Sequence, residues 1–286
     1  MTILREKAFA KVNLTLDVLA KRPDGYHDLK SVMQTISLCD EVTITLGTGK
    51  AWKLICDAPG VPLDRRNLVW KAAEVFFEAA RIDPDGLEME IVKRIPSEAG
   101  LGGGSADAAA VLRALNRHYN AFITVEALAD LGAKVGSDVP FCVLGGSAMA
   151  EGRGERLRPL KSIPNCFFVV VKPDFPVSTP ALFRKLDAEE IIQRPDNDAM
   201  ERAIAEGDLE KICRLLCNVF EPVVSREHPE IDDIYQMLLH SGAWGCRMSG
   251  SGSACYGIAR DEDTARRMYE VLKKKYPRTY LASSVC

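Results

Sequence analysis

The chain has 286 residues, of which 47% are hydrophobic and 27% charged, so it is long enough for two modest domains and has the composition of an ordinary globular protein. The formal net charge of -3 argues against a nucleic-acid partner, which would normally leave an excess of basic residues. It does not exclude an anionic small ligand held by a few local cations. The longest apolar run, roughly 166–171, is far too short to span a bilayer.

The number and spacing of the cysteines indicate the redox compartment in which the protein works. There are nine cysteines, with no CxxC pair and no His/Cys spacing suited to zinc. Because nine is odd, a full set of intramolecular disulfides is impossible, and reduced thiols in a cytoplasm are expected. The N-terminal stretch MTILREKAFAK has neither a long apolar core nor a Ser/Arg-rich presequence. We expect a cytoplasmic protein without a membrane partner, a monomer or weak homodimer, and no metal held by a cluster of protein ligands.

In the first half of the chain, strand and helix patterns alternate. Apolar and polar residues alternate over 10–18, which predicts a half-buried strand with Lys11 and Asn13 on the same face. Further on, Thr124 is a good N-cap for a helix that fades around 132–136. Strands are also predicted over 42–46 and 87–95, and helices over 67–80 and from about 105 to 116.

The second half begins after a polar, proline-punctuated stretch at 156–165. The sequence CFFVVVKP (166–173) predicts a new buried strand, and two short strands are predicted on either side of SGSGS (249–253). We therefore expect an N-terminal domain over 1–157 and a C-terminal domain over 158–286, the latter similar to a split βαβ sandwich with extra helices. Helices are predicted at roughly 179–186, 197–205, 208–219, 229–240 and 262–275, and a last strand near 279–285.

The stretch PSEAGLGGGSADAAA (96–110) places a glycine cluster between a predicted strand and a predicted helix. Helix N-termini carry unpaired N–H groups and a partial positive charge, so glycines there would let the backbone approach a phosphate. Ser105 is expected to cap the helix and to offer a hydroxyl near the phosphates or their metal. The alternative is a tight turn without a ligand. The stretch lacks GxxxxGK[ST]. It also does not fit GxGxxG starting at position 100, because Ser occupies position 105.

Four stretches together resemble the signature regions of the GHMP small-molecule kinases, in the order and spacing of that superfamily. They are AKVNLTLDV (10–18), PxxxGLGGGSA (96–106), GSDVPFCVLGGSAMAEGRG (136–154) and SGSGS (249–253), and the resemblance covers essentially the whole chain. More narrowly, 10–36 is similar to the branch acting on a cytidine diphosphate of methylerythritol, and RPDGYH (22–27) is the most specific part. One departure is that Gly103 and Gly104 stand where the wider superfamily favours two serines.

The resemblance implies an α+β fold of two domains. The first is an α/β domain of a type shared with a ribosomal protein, and the second is a ferredoxin-like split βαβ domain. It also implies transfer of the ATP γ-phosphoryl group, with Mg²⁺ accompanying ATP, to the 2-hydroxyl of cytidine diphospho-methylerythritol. Asp138 matches the catalytic aspartate that acts as general base. Lys11 matches the lysine that favours the ionised aspartate and stabilises charge on the transferring group.

The same resemblance implies the binding residues. Nucleotide contacts are expected from Pro96, Gly100, Leu101, Gly102, Gly103, Gly104, Ser105 and Ala106, with Asn67 and Lys93 on the adenosine side. Asn13 is expected to hydrogen-bond the substrate and Thr179 to contact its polyol. Tyr26 and Phe183 would give the cytosine an aromatic on each side, and His27 would read the edge of the base through its backbone or its ring.

Each of these residues also has an interpretation without a ligand. Asp138 would merely cap a short helical turn, Thr179 would be a helix cap, and Phe183 would be an ordinary core residue. Lys11 would be a solvated lysine on a strand face, and SGSGS would be only a hairpin loop. At the level of the whole chain, the alternatives are another GHMP kinase of the homoserine or mevalonate type, a nucleic-acid-binding protein, and a non-catalytic ligand sensor. RPDGYH argues against the first, and the acidic charge balance argues against the second.

Overall fold

The computed structural model describes residues 1–49 and 51–286. The chain divides into two compact units, each assembled from separate segments. Unit 1 comprises Met1–Ala10, Cys39–Ser97 and Gly102–Gly145, and unit 2 comprises Lys11–Leu38, Glu98–Leu101 and Gly146–Cys286. Two long strands, β1 (Thr2–Asn13) and β3 (His27–Leu46), contribute residues to both units. The sequence-based boundary between 157 and 158 stays a prediction.

In unit 1, a short sheet carries four helices. The strand over 87–92 pairs antiparallel with the second half of β3, and its buried residues alternate with outward-facing ones, as predicted. Thr124 caps the third helix by accepting a hydrogen bond from the Ala127 N–H, also as predicted. The elements of unit 1 after β3 are β4 (Lys53–Cys56), α1 (Leu68–Ala80), β5 (Leu87–Val92), α2 (Gly103–Tyr119), α3 (Val125–Ala133) and α4 (Val139–Leu144).

A buried cluster of three charges lies where β5 ends. Lys93 Nζ donates to Asp40 Oδ2 and, over 2.7 Å, to Asp107 Oδ2. The other oxygen of Asp40 accepts the backbone N–H groups of Arg94 and Ile95. One side chain on β3 therefore fixes both the exit of β5 and the lysine that follows it. Because Asp107 lies on the second turn of α2, the same cluster ties that helix to the sheet.

Unit 2 contains a four-stranded antiparallel sheet with the order β10-β11-β8-β12. This is the order of a split βαβ sandwich, so that prediction is confirmed. The central strand β8 is the FFVVV run, buried over its last four residues because both of its edges are paired and its faces are covered. The strands are β8 (Phe167–Val171), β10 (Gly245–Met248), β11 (Cys255–Ala259) and β12 (Thr279–Ser283).

The remaining strands of unit 2 pair around the first half of β3. There β3 pairs antiparallel with β2 and β6, β6 with β7, and β2 runs parallel to the short β9. These strands are β2 (Thr15–Lys21), β6 (Ser147–Gly152), β7 (Arg156–Pro159) and β9 (Cys217–Asn218). The helices are α5 (Thr179–Leu186), α6 (Asn197–Glu206), α7 (Leu209–Arg214), α8 (Glu221–Glu227), α9 (Glu230–His240) and α10 (Glu262–Lys275).

Two sequence-based expectations about these elements are wrong. Residues 10–18 are buried on both faces rather than on one, and they divide at Leu14 between β1 and β2. The helix predicted over 208–219 ends at Arg214, because Cys217 and Asn218 turn into a parallel pairing with Thr15 and Leu16. Tertiary pairing overrides the helical pattern there. Within the described ranges, no helix combines the length and the apolar character needed to cross a membrane.

Replacing Lys93 by Met should destabilise the fold strongly. The substitution leaves two buried carboxylates without their cation, which typically costs about 3–5 kcal/mol of unfolding free energy. Urea unfolding followed by circular dichroism measures this. The control is Lys53→Met, since Lys53 pairs with Glu88 on the surface, where the loss should stay below about 1 kcal/mol. Equal losses in the two variants would contradict the structural role of the cluster.

Candidate active site

Within unit 2, the two glycine-rich stretches touch each other. Gly100 has φ of 72°, and a Cβ placed on it would lie 2.0 Å from the Ser249 carbonyl oxygen. A Cβ on Gly250 would in turn lie 3.1 Å from the carbonyl oxygen of Gly100. Ser249 Oγ donates to that same carbonyl over 2.9 Å. No residue other than glycine fits at position 100, so SGSGS is more than a hairpin loop between two strands.

Asn218 holds the SGSGS stretch in place. Its Nδ2 donates to the backbone oxygens of Met248 and Gly250 at 2.9 and 2.8 Å. Its Oδ1 accepts the N–H of Phe220, so the buried amide is fully used. The Tyr256 hydroxyl adds a donation of 2.8 Å to the backbone oxygen of Asn13. These bonds order the loop before any ligand arrives.

A cleft of about 660 Å³ opens beside these loops. Thr179, the first residue of α5, shares a 2.7 Å hydrogen bond with Ser251 through their hydroxyls, and neither hydroxyl caps the helix. Glu98 has φ of 51° and lies on the wall of this cleft together with Gly100. The cleft is lined by Glu98, Gly100, Pro176, Val177, Ser178, Thr179, Pro180, Ser251 and Gly252.

A buried lysine supports the loop that forms the far wall of the cleft. Lys172 Nζ donates to the backbone oxygens of Pro173 and Phe175 at 2.8 and 3.1 Å. Burial lowers the pKa of Lys172, and the Arg278 guanidinium lowers it further. The Phe175 oxygen also accepts from Ser253 Oγ, which joins the wall to the SGSGS stretch. The cleft is therefore rigidly built on both sides.

In unit 1, helix α2 starts among the glycines. Gly102 is its N-cap in the left-handed region at φ of 71°, and it makes no side-chain cap. The expectation that Ser105 caps the helix is wrong, because the helix begins two residues earlier than predicted and Ser105 lies inside its first turn. Among the loop's remaining predicted residues, Pro96 is partly exposed, while Leu101 and Ala106 are buried.

The two glycines at the start of α2 differ in their surroundings. A Cβ on Gly103 would lie 3.2 Å from Ile95 and 3.3 Å from Lys93 Nζ, so the protein itself requires a small residue there. A Cβ on Gly104 would meet only Leu68 Cδ1, at an ordinary 3.8 Å. Glycine in a helix costs about 0.5–1 kcal/mol relative to alanine. Since no protein atom excludes a Cβ at Gly104, this bare position fits a bound anion at the helix N-terminus.

Lys11 and Asn13 lie on one face of β1, as predicted. Lys11 Nζ donates to Asn13 Oδ1 over 2.8 Å, and Asn13 Nδ2 donates to Ser31 Oγ over the same distance. Both side chains are almost fully buried, with 4% and 3% of their surface exposed. A lysine on a solvated strand face would be mostly exposed, so the structural alternative for Lys11 is excluded.

Asp138 lies at the N-cap of α4. The expected proline, Pro140, lies in the first turn of this helix. The Asp138 side chain, however, makes no capping hydrogen bond to the helix. Only the backbone oxygen of Asp138 takes part in the helix, as acceptor of the Cys142 N–H. The interpretation of Asp138 as a mere helix cap therefore fails.

Of the three aromatic residues predicted to bind a base, two contact each other in unit 2, and the third contacts an arginine. The rings of His27 and Phe183 are stacked, with centroids 4.6 Å apart and an angle of 18° between the planes. The Tyr26 ring is 56% exposed and carries the Arg153 guanidinium 5.2 Å above its centroid. The structure thus joins His27 to Phe183, and Tyr26 to a residue that the sequence did not single out.

The two residues predicted on the adenosine side are engaged within the protein. Asn67 is the N-cap of α1, accepting from Val69 N and donating to Pro62 O, and Lys93 is held between its two carboxylates. Their nucleotide contacts stay predictions. Across the described ranges, no group of three or more His, Cys, Asp or Glu side chains is arranged to hold a metal ion.

Several residues of the site carry no sequence motif. Asp187, whose carboxylate lies 2.6 Å from His27 Nε2, Asn218 and Lys172 lie in segments that look like ordinary helix ends and strand ends. For Asp187 there was one signal: Thr179, Phe183 and Asp187 are spaced by four residues, which places them on one face of a helix. Asn218 acts on backbone carbonyls 30 and 32 positions away, which no local pattern encodes. Lys172 donates to carbonyls only one and three positions further along, but a single lysine after a strand carries no signal of that role.

Comparison with known proteins defines the class first. Residues 67–146 match the N-terminal domain of the GHMP kinases, and residues 200–278 match the GHMP kinase C-terminal domain. A homoserine kinase from Cytophaga hutchinsonii shares the fold, with a TM-score of 0.78 over 100% of this chain and 95% of that one, at 20% identity. The chain has the fold of the GHMP kinases and is an ATP-dependent small-molecule kinase of that class, as the motifs predicted.

More similar relatives define the branch. The 4-diphosphocytidyl-2-C-methyl-D-erythritol kinase of Exiguobacterium sibiricum is 46% identical over 274 residues, which is 96% of this chain and 94% of that protein. A crystal structure of 4-(cytidine 5'-diphospho)-2C-methyl-D-erythritol kinase matches with a TM-score of 0.82 and 36% identity over 99% of both chains. The chain belongs to the family of 4-diphosphocytidyl-2-C-methyl-D-erythritol kinases.

Gly104→Ala should separate stability from nucleotide binding. Alanine favours the helix, so the unfolding free energy should rise by up to about 1 kcal/mol, while the KM for ATP should rise because the methyl group occupies the anion's approach. Urea unfolding and ATP titration measure the two effects. Gly100→Ala is the control, and its clash with Ser249 should instead destabilise the fold. An unchanged KM for ATP in Gly104→Ala would remove this position from the nucleotide site.

Asp107→Asn should change how stability depends on pH. Burial raises the pKa of Asp107 to about 7, because Lys93 only partly offsets the desolvation and Asp40 adds a second negative charge. The folded chain therefore keeps a proton that the unfolded chain releases near 3.8, and this stabilising contribution is lost as pH rises from about 4 through about 7.

The variant lacks that loss, so its stability relative to the natural chain should increase between pH 5 and pH 8. Urea unfolding of both proteins across this range is the measurement. Parallel pH profiles would show that Asp107 is ionised throughout.

Proposed function

We propose that this chain transfers the γ-phosphoryl group of ATP to the 2-hydroxyl of 4-(cytidine 5'-diphospho)-2-C-methyl-D-erythritol, in the non-mevalonate synthesis of isoprenoid precursors. The observation that carries this proposal is the 46% identity to a kinase of that name over 96% of the chain. The two matched GHMP domains and the shared fold support it.

The glycine-rich loop supplies the nucleotide contacts in this proposal. The first N–H groups of α2 have no capping side chain, and Gly104 leaves their approach open. One helix N-terminus contributes only about 0.3–1 kcal/mol, so the backbone from Pro96 to Ala106 must share the contact with the phosphates. Mg²⁺ would be held mainly by phosphate oxygens and water, where it would neutralise charge on the phosphates.

Asp138 and Lys11 supply the catalytic groups. Asp138 takes the proton from the 2-hydroxyl as the oxygen attacks, which is the role implied by its match to the catalytic aspartate of the GHMP motif. Lys11, desolvated at the end of β1, stabilises negative charge on the transferring group. Little covalent chemistry is left to the protein, so positioning and charge supply the rate.

The substrate is held by unit 2 residues on β1, β3 and α5. Asn13 hydrogen-bonds the substrate, Thr179 contacts the polyol at the cleft, and His27 reads the edge of the cytosine. Tyr26 and Phe183 supply aromatic surface, worth about 1–3 kcal/mol per stacked base. The four-residue spacing of Thr179 and Phe183 on α5 supports one continuous binding surface along that helix.

We further propose that the enzyme works in the cytoplasm as a monomer or weak homodimer, without a nucleic-acid partner. Among the described residues no cysteine is paired in a disulfide, and four cysteines of unit 2 are buried (Cys166, Cys213, Cys246 and Cys255), which supports a reducing compartment.

Asp138→Asn tests the proposed reaction and its base together. With Mg-ATP and the cytidine diphospho-methylerythritol, phosphorus NMR of the natural protein should show a new phosphomonoester resonance. In the variant its rate of appearance should fall by roughly 10²–10⁴-fold, the usual contribution of a general base.

The matched control is Asp130→Asn, an exposed aspartate on α3 whose loss should leave the rate unchanged. A resonance that forms at the natural rate in Asp138→Asn would keep the substrate and remove Asp138 as base. No resonance with the natural protein would contradict the reaction itself.

A further inference from the structure

Helix α5 holds the ring of His27 in two ways. Phe183 covers one face of the imidazole, and Asp187, one turn further along, takes its edge. Asp187 Oδ1 lies 2.6 Å from His27 Nε2, and the ring is only 8% exposed. Because Asp187 N–H donates to Phe183 O, both residues belong to the same helical turn and move together.

The chemistry of the Asp187 carboxylate decides which nitrogen of His27 carries the proton. Asp187 Oδ2 accepts from Lys21 Nζ over 2.9 Å. That lysine first, and His27 second, hold the pKa of the Asp187 carboxyl below its ordinary value. An ionised carboxylate only accepts hydrogen bonds, so His27 Nε2 must be the donor. In a neutral imidazole the other nitrogen, Nδ1, is then an acceptor.

We propose that Asp187 is a positioning residue that fixes His27 with its proton on Nε2, so that Nδ1 accepts a hydrogen bond from the exocyclic amine of cytosine. This inference rests on the proposed function, in which His27 reads the base. Among the described residues, no protein donor or acceptor engages Nδ1. The nitrogen is thus left for a ligand while its ring is locked by Phe183 and Asp187.

The fixed tautomer would select cytosine over uracil. Cytosine presents an N–H donor at position 4 of the ring, whereas uracil presents an oxygen acceptor there. An acceptor on His27 matches the first and repels the second. Leaving two acceptors facing each other in a desolvated site should cost roughly 10- to 100-fold in kcat/KM.

Asp187→Asn should move the proton of His27 from Nε2 to Nδ1, rather than only allow the two tautomers to exchange. Lys21 has only donors, so the new amide turns its oxygen toward Lys21 and its NH₂ toward His27. Nε2 then has to accept, and the proton moves to Nδ1. Lys21→Met is the matched control, because it removes the other partner of Asp187 and leaves the bond to His27 in place.

Nitrogen-15 NMR of histidine-labelled protein reads the tautomer without substrate, with His27→Gln assigning the signal. The natural protein and Lys21→Met should show His27 protonated on Nε2 alone, and Asp187→Asn should show the proton on Nδ1. A natural His27 that is protonated on Nδ1, on both nitrogens, or exchanging between tautomers at pH 7.5 would overturn the proposal.

The functional readout is the ratio of kcat/KM for the cytidine and uridine diphosphate forms of the substrate. Asp187→Asn should raise KM for the cytidine form about tenfold with kcat within about twofold, and the ratio should fall by about tenfold or more. Lys21→Met should keep the natural ratio. An unchanged ratio in Asp187→Asn, despite a reversed tautomer, would also overturn the proposal. If the natural protein phosphorylates neither form, the proposed function fails, and the NMR result still decides the tautomer.

Discussion

The absence of a side chain at Gly100 is the constraint on which the site depends. The backbones of two distant stretches, 98–101 and 249–253, approach so closely in unit 2 that a Cβ would overlap the Ser249 carbonyl. Ser249 Oγ converts this proximity into a hydrogen bond, and Asn218 holds the far side of the same loop. Because these bonds form within the protein, the cleft beside them is ordered without help from a ligand. Preorganisation of this kind is what a reaction governed by positioning requires.

Helix α5 extends this ordered surface toward the ring of His27. Its residues at four-residue spacing present first a hydroxyl at the cleft, then an aromatic ring, then a carboxylate at His27. One short helix therefore connects the polar and the aromatic parts of the site in unit 2. Thr179, the first residue of this helix, is hydrogen-bonded to Ser251. The SGSGS stretch and the ring of His27 are therefore both in contact with α5.

The sequence predicted more of the fold than of the site's support. Alternation and caps located β5, α1, α3 and the split βαβ order, since these depend on local periodicity. The sequence-based prediction of a helix over 217–218 is wrong because these residues pair in parallel with β2. The predicted start of α2 is wrong because the helix begins within a run of glycines, without a side-chain cap. Motifs located Lys11, Asn13 and the glycine loops. They could not locate Asp187 or Asn218, because these side chains act on partners 160 and 30 or more positions away.

The most direct test of the substrate assignment is a comparison of acceptors under identical conditions. The purified enzyme with Mg-ATP would be offered cytidine diphospho-methylerythritol, homoserine and mevalonate in separate assays, and kcat/KM would be measured for each. We expect turnover of the cytidine diphosphate compound, with the other two at background. Homoserine or mevalonate phosphorylated with a comparable or higher kcat/KM would contradict this assignment.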